Sequence, residues 1–88
     1  MIVHVNGALL RFTDYRRVIS VDAPTVGAAL TMLADEYRPL HPVLFDRRGR
    51  LRATHRIFLN GELLAADQLA SPAADTDSVE LLLAISGG

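Results

Sequence analysis

Val79-Glu80-Leu81-Leu82-Leu83-Ala84-Ile85-Ser86-Gly87-Gly88 is the stretch on which the fold turns. Its first seven residues are apolar nearly throughout. A run of that kind reads as a buried strand, so it belongs in the middle of a sheet. Gly87 and Gly88 follow it at the end of the sequence. A strand that delivers a bare Gly-Gly carboxylate into solvent points to that carboxylate as the reactive group. Chain ends are commonly small and frayed, and at ordinary glycine usage two terminal glycines arise by chance about once in 200 chains. The tail therefore carries weight only together with the body in front of it.

Upstream of this strand, residues 65–77 show little periodicity and contain Pro72, with room for a short helical turn around Asp67 to Ala70. Before them, Arg56-Ile57-Phe58-Leu59 and Glu62-Leu63-Leu64 flank Asn60-Gly61. Asn-Gly between apolar segments predicts a hairpin, because a type I′ turn needs φ > 0 at both central residues. Asp46-Arg47-Arg48-Gly49-Arg50 reads as a turn, and His41 to Asp46 as a short apolar piece. The helix is the clearest element. Val26, Leu30, Leu33 and Tyr37 recur at helical spacing with Ala29 and Ala34 beside them, while Thr31, Asp35 and Glu36 fall off the stripe. Thr25 or Asp22 caps its start near Pro24, and Pro39 ends it through the bias it places on Arg38. At the front, Ile2 to Asn6 and Arg17 to Val21 read as strands, the second with Ile19 and Val21 on one face and Val18 and Ser20 on the other. Asn6-Gly7 is a turn signal, Leu9 to Phe12 an extended or looped piece, and Thr13-Asp14-Tyr15 the loop of a hairpin.

The order is strand, strand, helix, strand, strand, irregular turn, strand. It resembles a β-grasp, the ubiquitin-like α+β fold, in which one main helix packs across a mixed sheet of about five strands. That resemblance implies first and last strands running parallel in the middle. Residues 1–85 form the expected domain and residues 86–88 a flexible tail.

Composition narrows the chemistry. Eighty-eight residues make one domain, and half of them are hydrophobic. No apolar run approaches the ~20 residues that span a bilayer. The opening Met1-Ile2-Val3-His4-Val5 goes straight into a strand pattern without the features of a signal peptide, so a cytoplasmic protein is expected. A net charge of −1 argues against nucleic-acid or membrane partners. There is no cysteine, which removes disulfides and thiolate chemistry. All nine basic residues are arginine, so the chain has no ε-amine through which it could be built into isopeptide-linked chains.

Side-chain catalysis is poorly supplied. His4, His41 and His55 lack ligand spacing, so no metal is expected. Asp75 and Asp77 fit Asx-type turn bonding better than paired acid-base work. Two surfaces remain. Arg47, Arg48, Arg50, Arg52 and Arg56 cluster, either as a solvated hairpin end or as a patch for an acidic partner; Arg47, Arg48 and Arg50 are the candidate contacts. If Val79, Leu81, Leu83 and Ile85 face the helix, then Glu80, Leu82, Ala84 and Ser86 face outward. Phe58, Leu82 and Ala84 then form a candidate docking face.

The ordered set of short pieces resembles the ThiS/MoaD family of ubiquitin-like sulfur carriers over the whole chain. The pieces are Leu10-Arg11, Thr25-Val26-Gly27, Tyr37 to Leu40, Asp46 with Gly49-Arg50-Leu51-Arg52, Ile57 to Glu62, Asp77-Ser78-Val79 and Gly87-Gly88. Thr76-Asp77 stands where the family often has Gly-Asp, and Ala84-Ile85 where it often has a proline. The stretch between helix and hairpin is most similar to the CysO-like branch of cysteine biosynthesis and its relatives in secondary metabolism.

The resemblance implies a protein cosubstrate and not an enzyme. A ubiquitin-activating-type adenylyltransferase and sulfurtransferase, using its own ATP and Mg²⁺, would adenylate Gly88. A sulfide, persulfide or thiolate would then displace AMP and leave a thiocarboxylate for a sulfur-accepting synthase. Gly87 and Ser86 would thread the tail into the partner's active site. The chain itself would bind no cofactor and would be monomeric alone. A ubiquitin-like modifier and the small subunit of a molybdopterin synthase stay open as alternatives.

Overall fold

The computed structural model describes residues 1–52 and 55–83. Five strands form one mixed sheet: β1 (Ile2–Val5), β2 (Val18–Ser20), β3 (His55–Leu59), β4 (Glu62–Leu63) and β5 (Ser78–Leu83). Their order across the sheet is β2-β1-β5-β3-β4. β5 is central, parallel to β1 and antiparallel to β3, and β1–β2 and β3–β4 are antiparallel hairpins. This is the β-grasp arrangement expected from the element order.

The register explains the burial. Val3 lies between Ile19 and Val79, and Leu81 lies between Val5 and Ile57. All six are buried and face the helix side. Alternation then turns Ser78 and Glu80 of β5 to the other face. The main helix, α1 (Val26–Glu36), lays Val26, Ala29, Leu30, Leu33 and Ala34 onto this layer. Burying each of Val26, Leu30 and Leu33 contributes about 1.5–3 kcal/mol, and each alanine less, before the entropy of ordering it. Thr25 caps the helix, its Oγ1 accepting from the Ala28 amide at 3.0 Å. Of the predicted stripe, Tyr37 alone falls outside the helix, at its C-cap and half-buried.

Two pieces differ from expectation. Leu9 to Phe12, expected as an extended or looped piece, lies in a 3-10 helix over Gly7–Phe12. Gly7, at φ 62°, turns the chain so that Leu9 drops into the end of the core, fully buried. Buried Thr13 closes the piece, its hydroxyl lying 3.2 Å from the Leu10 carbonyl and 3.1 Å from that of Arg16. The apolar piece at His41 contains a second helix, α2 (Leu40–Leu44). Pro42 does not break it, because it sits in the first turn, where backbone amides have no intrahelical acceptor. Leu40 and Leu44, one turn apart, seal the core beside α1.

The long connection before β5 is strapped to the helix side. A 3-10 turn spans Ala66–Gln68. The Gly27 amide donates to the Leu69 carbonyl at 2.9 Å, and the Ala73 amide to the Pro24 carbonyl at 2.9 Å. A Cβ on Gly27 would stand 3.3 Å from the Leu69 oxygen, so this helix position favours glycine for the close approach. Among the described residues, no helix is long and apolar enough to cross a membrane.

Candidate functional site

The expected reactive group, Gly88, lies outside the described residues, as do Gly87, Ser86, Ile85 and Ala84, and with them the expected domain boundary. The structure shows what stands immediately in front of them. β5 is hydrogen-bonded on both sides, with Leu81 of β5 opposite Val5 of β1 and Ile57 of β3, and Leu83 opposite His55. The strand that leads to the tail is therefore the central strand of the sheet, paired along both edges.

Its start is clamped by side chains. The Asn60 amide donates to the Ser78 carbonyl at 2.8 Å. The Asn60 side chain accepts from the Ser78 amide at 2.9 Å and donates to Asp77 Oδ1 at 3.0 Å. Asp77 Oδ2 in turn accepts from the Ala74 amide at 2.7 Å. The Ala74 amide, and then the Asn60 side chain, hold the Asp77 carboxyl below its ordinary pKa. Asn60 and Gly61 take φ of 50° and 87°, as the type I′ turn requires. Asx-type bonding was expected of Asp77, but the second role of Asn60 was not, because its partners are distant in sequence.

The sheet face away from the helices is uncovered by any described element. Register places Val18, His4, Glu80, Phe58 and Leu63 in one row across five strands, with Arg56 opposite Leu82 in the next. Phe58 and Leu82 are half-buried and share this face as expected; Ala84 is beyond the described residues. Val18 and Leu63, 58% and 55% exposed, extend the apolar surface to both sheet edges. Leu63 was missed as a member because it sits on a two-residue strand whose facing only the register reveals. Glu80 interrupts the apolar surface and accepts from the Asn6 side chain at 3.3 Å.

Arg47, Arg48 and Arg50 are exposed on the predicted turn. Asp46 Oδ1 accepts from the amides of Arg48 and Arg50 at 2.8 and 3.0 Å, and Gly49 takes φ 78°. Chiefly the Arg50 amide, then that of Arg48, with the Arg50 and Arg52 charges, hold the Asp46 carboxyl below its ordinary pKa. This turn lies against the flank of α1, where Gly49 and Arg50 share a cleft with Gly27 and Thr31. Arg52 stays beside it, its Nε donating to the Pro42 carbonyl at 2.9 Å and its side chain sharing a cleft with Asp46, Arg47 and Gly49, whereas Arg56 lies apart, opposite Leu82. The five arginines that cluster in sequence thus form two surfaces.

The histidines are dispersed. His41 pairs with Asp35 at 2.9 Å on the surface, and buried His55 donates from Nε2 to the Val43 carbonyl at 2.7 Å. Among the described residues, no group of three or more His, Cys, Asp or Glu is placed to hold a metal.

Comparison with solved structures finds the same architecture repeatedly. SAMP1 from Haloferax volcanii superposes with a TM-score of 0.81 at 28% identity, covering 99% of this chain and 97% of that one. CysO of Mycobacterium tuberculosis gives 0.81 at 29% identity, covering 96% and 98%. A chain of the BexX/CysO complex from Amycolatopsis orientalis gives 0.84 at 18% identity, covering 99% and 98%, a likeness of fold alone. No curated protein matches by sequence. The family model described as the ThiS family matches residues 3–88. With its ubiquitin-like β-grasp sheet and a family match spanning nearly every residue, the chain belongs to the ThiS family.

Proposed function

We propose that this protein is a sulfur carrier whose cargo rides on the Gly88 carboxylate. The observation that carries this reading is the family match, which runs through Gly88 itself. A free carboxylate does not exchange oxygen for sulfur, because oxide is a poor leaving group. In the proposed sequence a carboxylate oxygen of Gly88 attacks the α-phosphorus of ATP, and pyrophosphate leaves. The sulfur of a hydrosulfide then bonds to the acyl carbon. The acyl carbon–oxygen bond breaks, AMP departs with that oxygen and its electron pair, and one proton is released. The product is a Gly88 thiocarboxylate, an activated sulfur nucleophile in a chain without cysteine. ATP and Mg²⁺ belong to the activating enzyme, and a biosynthetic enzyme takes the sulfur. The likeness to CysO at 29% identity favours an acceptor of the cysteine or secondary-metabolite type.

In this reading residues 1–85 carry and present the tail at 86–88. Three extended residues reach about 10 Å, enough to enter a partner's site while the domain stays outside. Glycine at 87 leaves the tail slim and free to take backbone angles closed to other residues. Phe58, Leu82 and Ala84 serve as the apolar docking face. A second reading is ligation to lysines of other proteins, favoured by the 28% identity to a protein named as an archaeal modifier.

The test is intact-protein mass spectrometry after incubation with ATP, Mg²⁺, hydrosulfide and the adenylating enzyme of the same genome. The wild type gains the mass difference between sulfur and oxygen. Gly87→Ala gains it more slowly, and deletion of Gly88 abolishes the gain while leaving the fold intact. Thiocarboxylate formation by the deletion variant at the wild-type rate contradicts the proposal. An isopeptide-linked product in place of the thiocarboxylate supports the modifier reading.

A further inference from the structure

The connections at the two ends of this sheet differ in charge. β1 and β5 are parallel, and β2 and β3 run against them. One end of the sheet therefore gathers the last residue of β5, the β1–β2 connection and the chain entering β3. The β1–β2 connection carries Arg11, Arg16 and Arg17 against Asp14. Residues 52–56 carry Arg52 and Arg56 and no acidic residue. The opposite end gathers residues 21–25, the Asn60-Gly61 hairpin and the approach to β5. It carries Asp22, Glu62, Asp75 and Asp77 and no arginine.

Arg16, Arg17 and Arg56 are all exposed, while Arg52 is turned back onto the Pro42 carbonyl. Arg17 adjoins the end of β1, its carbonyl accepting from the Val5 amide at 2.9 Å, and Arg56 lies opposite Leu82 on the open face. The near-neutral net charge of −1 hides this separation.

We infer that Arg16, Arg17 and Arg56 form a basic collar at the Leu83 end of β5, and that it docks on a protein partner whose tail-receiving mouth is rimmed by carboxylates. The inference rests on the tail being the delivered group. Guanidinium groups match carboxylates in bidentate geometry, and arginine beside apolar side chains such as Leu82 and Phe58 suits a protein interface, with its apolar core and polar rim. A long polyanion such as nucleic acid would also meet the acidic end; a short acidic rim meets the collar alone. With a Debye length of about 8 Å at physiological salt, such a collar acts on encounter and orientation. Steering of this kind raises association rates by about 10- to 1,000-fold.

The experiment measures association of the full-length chain with the adenylating enzyme of the mass assay, by stopped flow, at about 50 mM and about 500 mM salt. Arg16→Glu/Arg17→Glu and, separately, Arg17→Glu/Arg56→Glu lower the rate constant by about tenfold or more at low salt and by less than about twofold at high salt. Arg47→Glu/Arg48→Glu on the turn and Arg38→Glu change it by less than about twofold at either salt. Rates insensitive to the collar, a larger effect from the turn variant, no binding at low salt, or tighter binding to an oligothymidine than to the enzyme each overturn the inference. Binding is read without chemistry, so the two claims fail separately. A chain that binds through the collar and is never thiocarboxylated contradicts the proposed function alone. A chain thiocarboxylated equally well with the collar reversed contradicts this inference alone.

Discussion

Asn60 does two jobs with one side chain. It takes the positive φ of the hairpin turn, and it ties that turn to the start of β5 through Ser78 and Asp77. Asn60→Gly keeps the turn and loses the clamp; Asn60→Ala loses both. We expect a loss of about 1 kcal/mol for the first and about 1–2 kcal/mol for the second, read by urea denaturation. The turn was legible in the sequence because Asn-Gly has a local conformational meaning. The clamp was not, because a hydrogen bond across 17 residues leaves no local pattern. The carboxyls behave alike: Asp46 and Asp77 both have lowered pKa values in the fold. Their stabilising bonds are complete above the unfolded value of 3.8 and are lost as pH falls below it through the depressed folded values. The melting temperature therefore drops on acidification below pH 3.8, and the drop is shallower in Asp77→Ala, which has one such carboxylate fewer to protonate. Equal slopes for the two proteins would remove Asp77 from this account.

At the scale of the element, legibility followed length and regularity. α1 was readable from its stripe, its threonine cap and the proline beyond it. Its facing residue Leu33 is fully buried, so Leu33→Ala is expected to cost about 2–5 kcal/mol in equilibrium unfolding. Thr31→Ala, on the exposed side of the same helix, should change stability by less than about 0.5 kcal/mol. α2 and the 3-10 helix at Gly7–Phe12 were not readable. Each is too short for its periodicity to stand out, and each is held by what it plugs: Leu40 and Leu44 at one part of the core, Leu9 at another. The final strand was readable as central because it is apolar nearly throughout, and in the sheet Val79 and Leu81 pack between β1 and β3 on the helix side.

At the scale of the molecule, the parallel pairing of β1 with β5 carries the functional argument. It places the strand that leads to the tail between two others and gathers the arginine-bearing connections at the same end. The apolar face was legible from the alternation of β5, but its extent, from Val18 to Leu63, required the register of all five strands. The separation of Arg56, which joins Arg16 and Arg17 at the strand end, from Arg47, Arg48 and Arg50 on the helix flank likewise follows from topology. In the proposed function the sheet and helices present a group, and that group is the Gly88 carboxylate. The most direct measurement is fragmentation mass spectrometry of the protein after reaction with ATP, hydrosulfide and the adenylating enzyme. The account predicts that the added sulfur is confined to C-terminal fragments that contain Gly88. Sulfur located on any fragment that lacks Gly88 would contradict it.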